Sequence, residues 1–193
     1  MKSRPLRADA ARNRAQILDA ARRLFTEQGI DAQMDDIAAA AGVGVGTVYR
    51  HFQTKEALQE AVLEGLLSPM VDAAREGLDE PDPGEALFAF IRRATLRVEA
   101  DFALLGAFKE ADYDLEATLA PHKRQMMEAV SALTERAQRA GAVRDDISGP
   151  EILALLGATC QGARQAAGND DVRARLVEVV IDGLRAAPVS AGR

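Results

Sequence analysis

Between Met34 and Phe52 the chain carries two apolar stripes of helical period, Met34, Ile37, Ala38 and Ala41 and then Val45, Val48 and Phe52, parted by Gly42. Each covers about two turns, and so short a helix needs tertiary packing because nucleation costs more than a few backbone bonds return. Upstream, Ile17, Leu18, Ala21, Leu24 and Phe25 fall at i, i+1, i+4, i+7 and i+8, one stripe of a longer helix that Gly29 ends. Gly42 suits a helix C-cap, where positive φ favours glycine. Two short helices joined by a tight, glycine-bearing turn fit a helix-turn-helix, whose second helix can enter a major groove about 12 Å wide. Burying Val45, Val48 and Phe52 leaves Gly46, Thr47, Tyr49, Arg50 and His51 on or beside its outer face.

The rest of the chain keeps the same period. Thr54 reads as the N-cap of a long helix with Leu58, Ala61, Val62, Gly65 and Leu66 inside, and Ser68-Pro69 either kinks it or starts a new one, the kink being favoured. Glu80 to Gly84 is a connector in which Asp82-Pro83 suits the start of a helix over 83–99. Further helices are expected over 101–112, over 121–140 with Met126, Met127, Val130, Leu133 and Ala137 inside, from a Ser148/Glu151 capping box to Gly168, and from Asn169 or Asp170 to about 187 with Leu176, Val180 and Leu184 inside. No segment sustains period-two alternation, so the fold class is all-α with about nine helices, in domains 1–55 and 56–193.

A net charge of −6 argues against a nucleic-acid partner until it is divided along the chain. Residues 1–55 hold nine Lys/Arg against six Asp/Glu, a balance of +3, which leaves −9 for the remainder. Lys2, Arg4, Arg7, Arg12 and Arg14 face only Asp9 within the first sixteen positions, so an acidic body carries a basic head. The one cysteine, Cys160, cannot form an internal disulfide, and the absence of a signal-like or spanning apolar stretch predicts a protein of a reducing cytosol, cytoplasmic and with no membrane partner.

On Ala41-Gly42-Val43, Gly46-Thr47-Val48-Tyr49-Arg50-His51-Phe52 and Lys55-Glu56-Ala57-Leu58, preceded by Ile17-Leu18-Asp19-Ala20-Ala21 and Leu24-Phe25, the sequence resembles the tetracycline-repressor (TetR) family of bacterial regulators. The motifs cover about residues 10–60; from Leu104 to about Gly168 the chain is similar to one subclass of the family's C-terminal domains. The resemblance implies an N-terminal DNA-binding domain, a C-terminal ligand-binding and dimerisation domain, and base-edge or nearby backbone contacts from Val45, Gly46, Thr47, Tyr49 and Arg50. It places His51 and Lys55 on phosphates. Thr and Arg suit base edges, and the first amides of a helix attract phosphate; the Arg-rich arm before residue 15 could reach a minor groove. Three departures stand out. Gln33 replaces a capping Thr or Ser, Gly44-Val45 replaces Ser and a polar residue, and Asp35 sits where some relatives place a basic or polar contact.

Phe88, Phe90, Phe102, Leu104, Leu105, Phe108, Met126, Met127 and Val130 are core first, but the resemblance implies an effector pocket among these helices. Candidate ligand contacts are Arg92, Thr95, Phe102, Phe108, Tyr113, Met126, Met127, Gln161 and Arg164, with Gln125 a further polar candidate; the effector is unidentified. Small residues Gly157, Ala158, Gly162, Ala163 and Ala166 permit close approach of a second copy, so a homodimer is expected through helices 150–168 and 170–187, presenting two recognition helices to a pseudopalindromic double-stranded operator.

No metal-spaced cluster, cofactor motif or catalytic set is visible. Asp35 and Asp36 suit the helix dipole, His122 a solvent-exposed helix start, and Cys160 a small buried residue. The expected protein is a ligand-released repressor, with Pro69 as the pivot of a population shift. A ligand-independent DNA-binding protein, or a helical enzyme using the C-terminal pocket, is the alternative.

Overall fold

The computed structural model describes residues 4–96, 98–166 and 169–186, with the side chains of 4–7, 96 and 98–101 left aside. Among the described residues there are nine helices and no strand: α1 (Arg4–Gln28), α2 (Met34–Ala41), α3 (Val45–His51), α4 (Lys55–Glu76), α5 (Pro83–Leu96), α6 (Val98–Glu110), α7 (Leu115–Arg139), α8 (Gly149–Gln165) and α9 (Asp170–Leu184). Lys2 and the expected helix ends at Gly168 and 187 lie outside the described residues. No described helix is long and apolar enough to cross a membrane.

The helices form two compact units, one of residues 1–66 with 101–120, the other of 67–100 with 121–193. In the first, Ile17, Ala21 and Phe25 of α1, Ile37 of α2, Val48 of α3, Leu58 and Leu63 of α4, and Leu104 and Phe108 of α6 are fully buried. The stripe read on α1 is its inner face, since residues i, i+4 and i+7 share one side of a helix. Gly42 ends α2 at φ 69°, and the amides of Gly42 and Val43 close on Ala39 and Ala38 at 3.1 and 3.0 Å. Only a left-handed residue turns the chain this sharply at little cost.

In the second unit the Asp82 Oδ1 accepts from the amides of Gly84 and Glu85 at 2.9 and 3.0 Å, capping α5 as expected. Glu151 Oε2 accepts from the Ser148 hydroxyl at 2.5 Å and from the Ser148 amide at 2.8 Å, and these bonds, the hydroxyl's above all, hold its carboxyl below the usual range. Asn169 Oδ1 receives the Val172 amide and opens α9. The α7–α8 loop is tied to the end of α9: Val143 bridges Arg185, and the amides of Arg144 and Ala186 reach Leu184 and Ala142 at 3.0 and 3.1 Å. At Gly149 a Cβ would stand 2.5 Å from Ser131 Cα, so the start of α8 packs directly on the backbone of α7.

Several expectations are corrected. The basic segment expected as an arm is helical from Arg4. At Ser68-Pro69, by contrast, the favoured reading of one continuous helix is the one observed: Pro69 lies inside α4, Ser68 starts no new helix, and the donor that proline lacks interrupts one ladder bond without ending the helix. On α4 Gly65 faces solvent and Leu63 is buried instead. α7 begins at Leu115, capped by Asp114 Oδ1 on the Ala117 amide at 2.9 Å, so Pro121 and His122 lie within it. His122 is half-buried, and its Nδ1 is shielded without a hydrogen-bond partner among the described residues. Met127 and Leu176 are exposed, while Met126, Val177, Ile181 and Leu184 point inward. On the inner faces of α4, α7 and α9, consecutive apolar residues left the phase of the stripe ambiguous.

Candidate nucleic-acid interface

α3 is held by its inner side. Val48 is fully buried and Phe52, just beyond the last turn, almost so, whereas Val45 and Tyr49 are 39% and 48% exposed. The expectation that Val45 is buried is therefore corrected: as the first residue of a two-turn helix it projects before the stripe turns into the core. Gly46 and Arg50 are exposed, Thr47 and His51 half-buried. One surface thus gathers a branched apolar group, a hydroxyl, a phenol and a guanidinium, the chemistry needed to contact a thymine methyl and base-edge acceptors.

The caps agree with the departures seen in sequence. Gly44 precedes α3 in an extended conformation without a capping side chain, and Gln33 gives α2 none. Gln33 Nε2 turns back to the Asp31 carbonyl at 2.9 Å instead. Asp35 and Asp36, both exposed, supply negative charge in the first turn of α2, where the helix dipole favours it.

Lys55 opens α4, with Thr54 Oγ1 accepting the Ala57 amide at 3.1 Å and Glu56 held below its ordinary pKa chiefly by a backbone hydrogen bond there. The Lys55 side chain is 24% exposed and its Nζ lies 3.5 Å from Asp31 Oδ1. One turn later Gln59, a buried polar residue, donates from Nε2 to the Ile30 carbonyl at 3.1 Å. Gln59 carries no sequence signal of this role, since it belongs to no motif and stands beside Glu60 on a helix of mixed apolar and charged residues. In sequence Arg14 is one of several basic residues of the N-terminal run. Its guanidinium carbon stands 5.2 Å from the centroid of the Phe52 ring, a cation–π contact that fixes it beside the end of α3.

The candidate effector contacts are distributed over both units. In the first, Phe108 is fully buried and meets Tyr113 edge to face at 5.0 Å, and Phe102 is half-buried. In the second, Arg92 Nε donates to Glu178 Oε1 and its Nη1 to Glu85 Oε1, both at 2.8 Å. The Glu178 bond is the main reason that Arg92 is raised above its ordinary pKa and Glu178 lowered below its own. Thr95 is buried and donates to the Ile91 carbonyl at 2.9 Å. Met126 is buried; Met127, Gln125, Gln161 and Arg164 are exposed. An open groove of about 500 Å³ in this unit, floored by Ala73, Ala89 and Phe90, is lined by none of the nine. Cys160 is buried, and burial pushes its thiol pKa up. Among the described residues no group of three or more His, Cys, Asp or Glu could hold a metal ion.

On the outer side of α8, Ala154, Gly157 and Ala158 are exposed, and on α9 Leu176 and Val179 are 37% and 69% exposed. That is an apolar, small-residue face.

Known proteins share this arrangement. Residues 17–62 match the family model described as bacterial regulatory proteins, tetR family, and residues 82–186 match that of the C-terminal domain of SbtR-like transcriptional regulators. The chain is 32% identical over 186 residues to the probable HTH-type transcriptional regulator ArpR of Pseudomonas putida, covering 94% of this chain and 82% of that protein. It is 40% identical over 79 residues to the HTH-type transcriptional repressor KstR2 of Rhodococcus jostii, covering 38% of this chain and 39% of that repressor. The crystal structure of a TetR transcription regulatory protein from Mycobacterium vanbaalenii aligns with a TM-score of 0.73 and 43% identity, over 94% of this chain and 99% of that one.

Proposed function

The chain belongs to the tetR family and is a DNA-binding transcription regulator; on that premise we propose that it represses from a pseudopalindromic operator until a small molecule releases it. The observation that carries the reading is the outward face of α3, where Val45, Tyr49 and Arg50 stand clear of the core while Val48 is wholly buried behind them. In this reading residues 1–55 bind DNA, with Val45, Gly46, Thr47, Tyr49 and Arg50 on base edges or nearby backbone and His51 and Lys55 on phosphates. Residues 56–193 bind the effector and pair two copies.

Pairing through 150–168 and 170–187 is supported by the exposed Leu176 and Val179 beside the small residues of α8, an apolar surface that a second copy would cover. Candidate effector contacts are Phe102, Phe108 and Tyr113 in the first unit and Thr95, Met126, Met127, Gln161 and Arg164 in the second. Arg92 joins them only for a ligand whose anionic group displaces Glu85 and Glu178. The protein works in the bacterial cytoplasm at the nucleoid and carries out no catalysis. A ligand that weakens operator binding 100-fold must prefer the non-binding form by about 2.7 kcal/mol, and α4 is the element that carries that preference to α3.

Footprinting on the DNA flanking its own gene tests the reading. A protected, two-fold-related site that is lost on adding a small molecule from a screen supports it; absence of preference for any duplex fragment in dilute buffer overturns it.

A further inference from the structure

Lys55 and Gln59 sit one turn apart on α4 and both reach the loop between α1 and α2, Gln59 through the Ile30 carbonyl and Lys55 through the carboxylate of Asp31. The two contacts are unlike. The Gln59 bond is buried and connects backbone to a fixed amide, so it positions the loop. The loop is further closed by the Ala32 amide on the Gly29 carbonyl and by Gln33 Nε2 on the Asp31 carbonyl. The Asp31–Lys55 pair adds little to that: Asp31 is 98% exposed, and pairs of this kind contribute little stability. Its geometry has another consequence. The Lys55 side chain is only 24% exposed, whereas the Asp31 carboxylate stands in solvent with room to move away.

We propose that Asp31 is an affinity-setting residue of the DNA interface, a resident carboxylate that occupies the Lys55 ammonium in the free protein and competes there with backbone phosphate. The proposal rests on the DNA-binding reading above and on its assignment of Lys55 to phosphate. A phosphate that takes the ammonium must displace a carboxylate 3.5 Å away. It then remains within a Debye length, ~8–10 Å, of that negative charge. Both effects weaken binding without regard to base sequence. They hold the regulator loose enough on duplex for its release to require only a modest shift.

The test is a double-mutant cycle on the full-length protein, with Asp31→Asn, Lys55→Ala and the combination. Binding is measured by fluorescence anisotropy to the footprinted operator and to a scrambled duplex, between roughly 50 and 200 mM salt. Asp31→Asn is expected to tighten binding to both duplexes by about three- to tenfold, the size of one screened unit charge at close range. It should steepen the plot of log K against log salt by about 0.9 per protomer, with an unchanged melting temperature. In the Lys55→Ala background the same substitution should shift affinity less than about twofold. Tightening that persists undiminished without Lys55, or unchanged affinity in Asp31→Asn, overturns the proposal. Those outcomes are distinct from failure of the regulator reading, in which the wild type prefers no duplex, because the cycle can still be measured on scrambled DNA.

Discussion

The rings of Phe25 and Phe108 meet edge to face, with centroids 5.9 Å apart and planes at 89°. Phe25 belongs to α1 and Phe108 to α6, so a residue far along the chain completes the core on which the helix-turn-helix rests. Both side chains are fully buried. Truncating Phe108 to Ala should cost about 3–5 kcal/mol through lost burial and the cavity left behind. Denaturant unfolding will report this as a lower midpoint, with operator binding lost in parallel. Were Phe108 only an effector contact, the midpoint would stay and the ligand dissociation constant alone would move.

Tyr49 is exposed and Thr47 half-buried, one on each side of the buried Val48 of α3. Replacing either by Ala should reduce the ratio of operator to scrambled-duplex affinity by about 5- to 100-fold, the range for loss of one good base contact, 1–3 kcal/mol. Lys55→Ala should weaken both duplexes alike and leave the ratio nearly intact. A ratio unchanged in all three variants would remove α3 from base recognition.

Gly42 holds φ at 69° between α2 and α3, and nothing lies within 4 Å of where a Cβ would project. The cost of Gly42→Ala is therefore conformational, about 1–2 kcal/mol, and Gly42→Asn should cost less because Asn tolerates the left-handed region. Thermal melts of the two variants give the order; equal melting temperatures would mean that the turn adopts another geometry.

Glu178 ionises below its ordinary 4.5 because Arg92 donates to it. The folded carboxyl being the stronger acid, the pair stabilises fully above about pH 4.5 and its contribution fades as pH falls through the lower, folded value. Arg92→Met should cost no more than about 1 kcal/mol at neutral pH, since solvent screens both groups. The difference between wild type and variant should shrink as melts are repeated from pH 6 towards roughly pH 3. A difference that grows towards acid would reverse the assignment.

Cys160 is shielded and its thiol is pushed up by burial, so thiolate is scarce at neutral pH. Iodoacetamide should label the native protein slowly and the denatured protein fast. Rapid native labelling would expose the thiol to redox chemistry.

The sequence by itself determined most of the helical segments and where several of them start or stop. Gly29, Gly42, Asp82, Ser148 and Asn169 act within one or two turns, through φ or a cap, and need no distant partner. It also determined the face of α3, because Val48 and Phe52 leave few ways to bury so short a helix. Only the tertiary structure decided which flank of an apolar doublet turns inward, as in Met126 over Met127 and Val177 over Leu176, since adjacent residues differ by about 100° and both fit the stripe. It alone placed Phe108 under Phe25, Arg14 over Phe52, Gln59 on Ile30 and Asp31 beside Lys55. Those relations join positions far apart along the chain, and no local periodicity encodes a contact whose two halves are brought together by the packing of other helices.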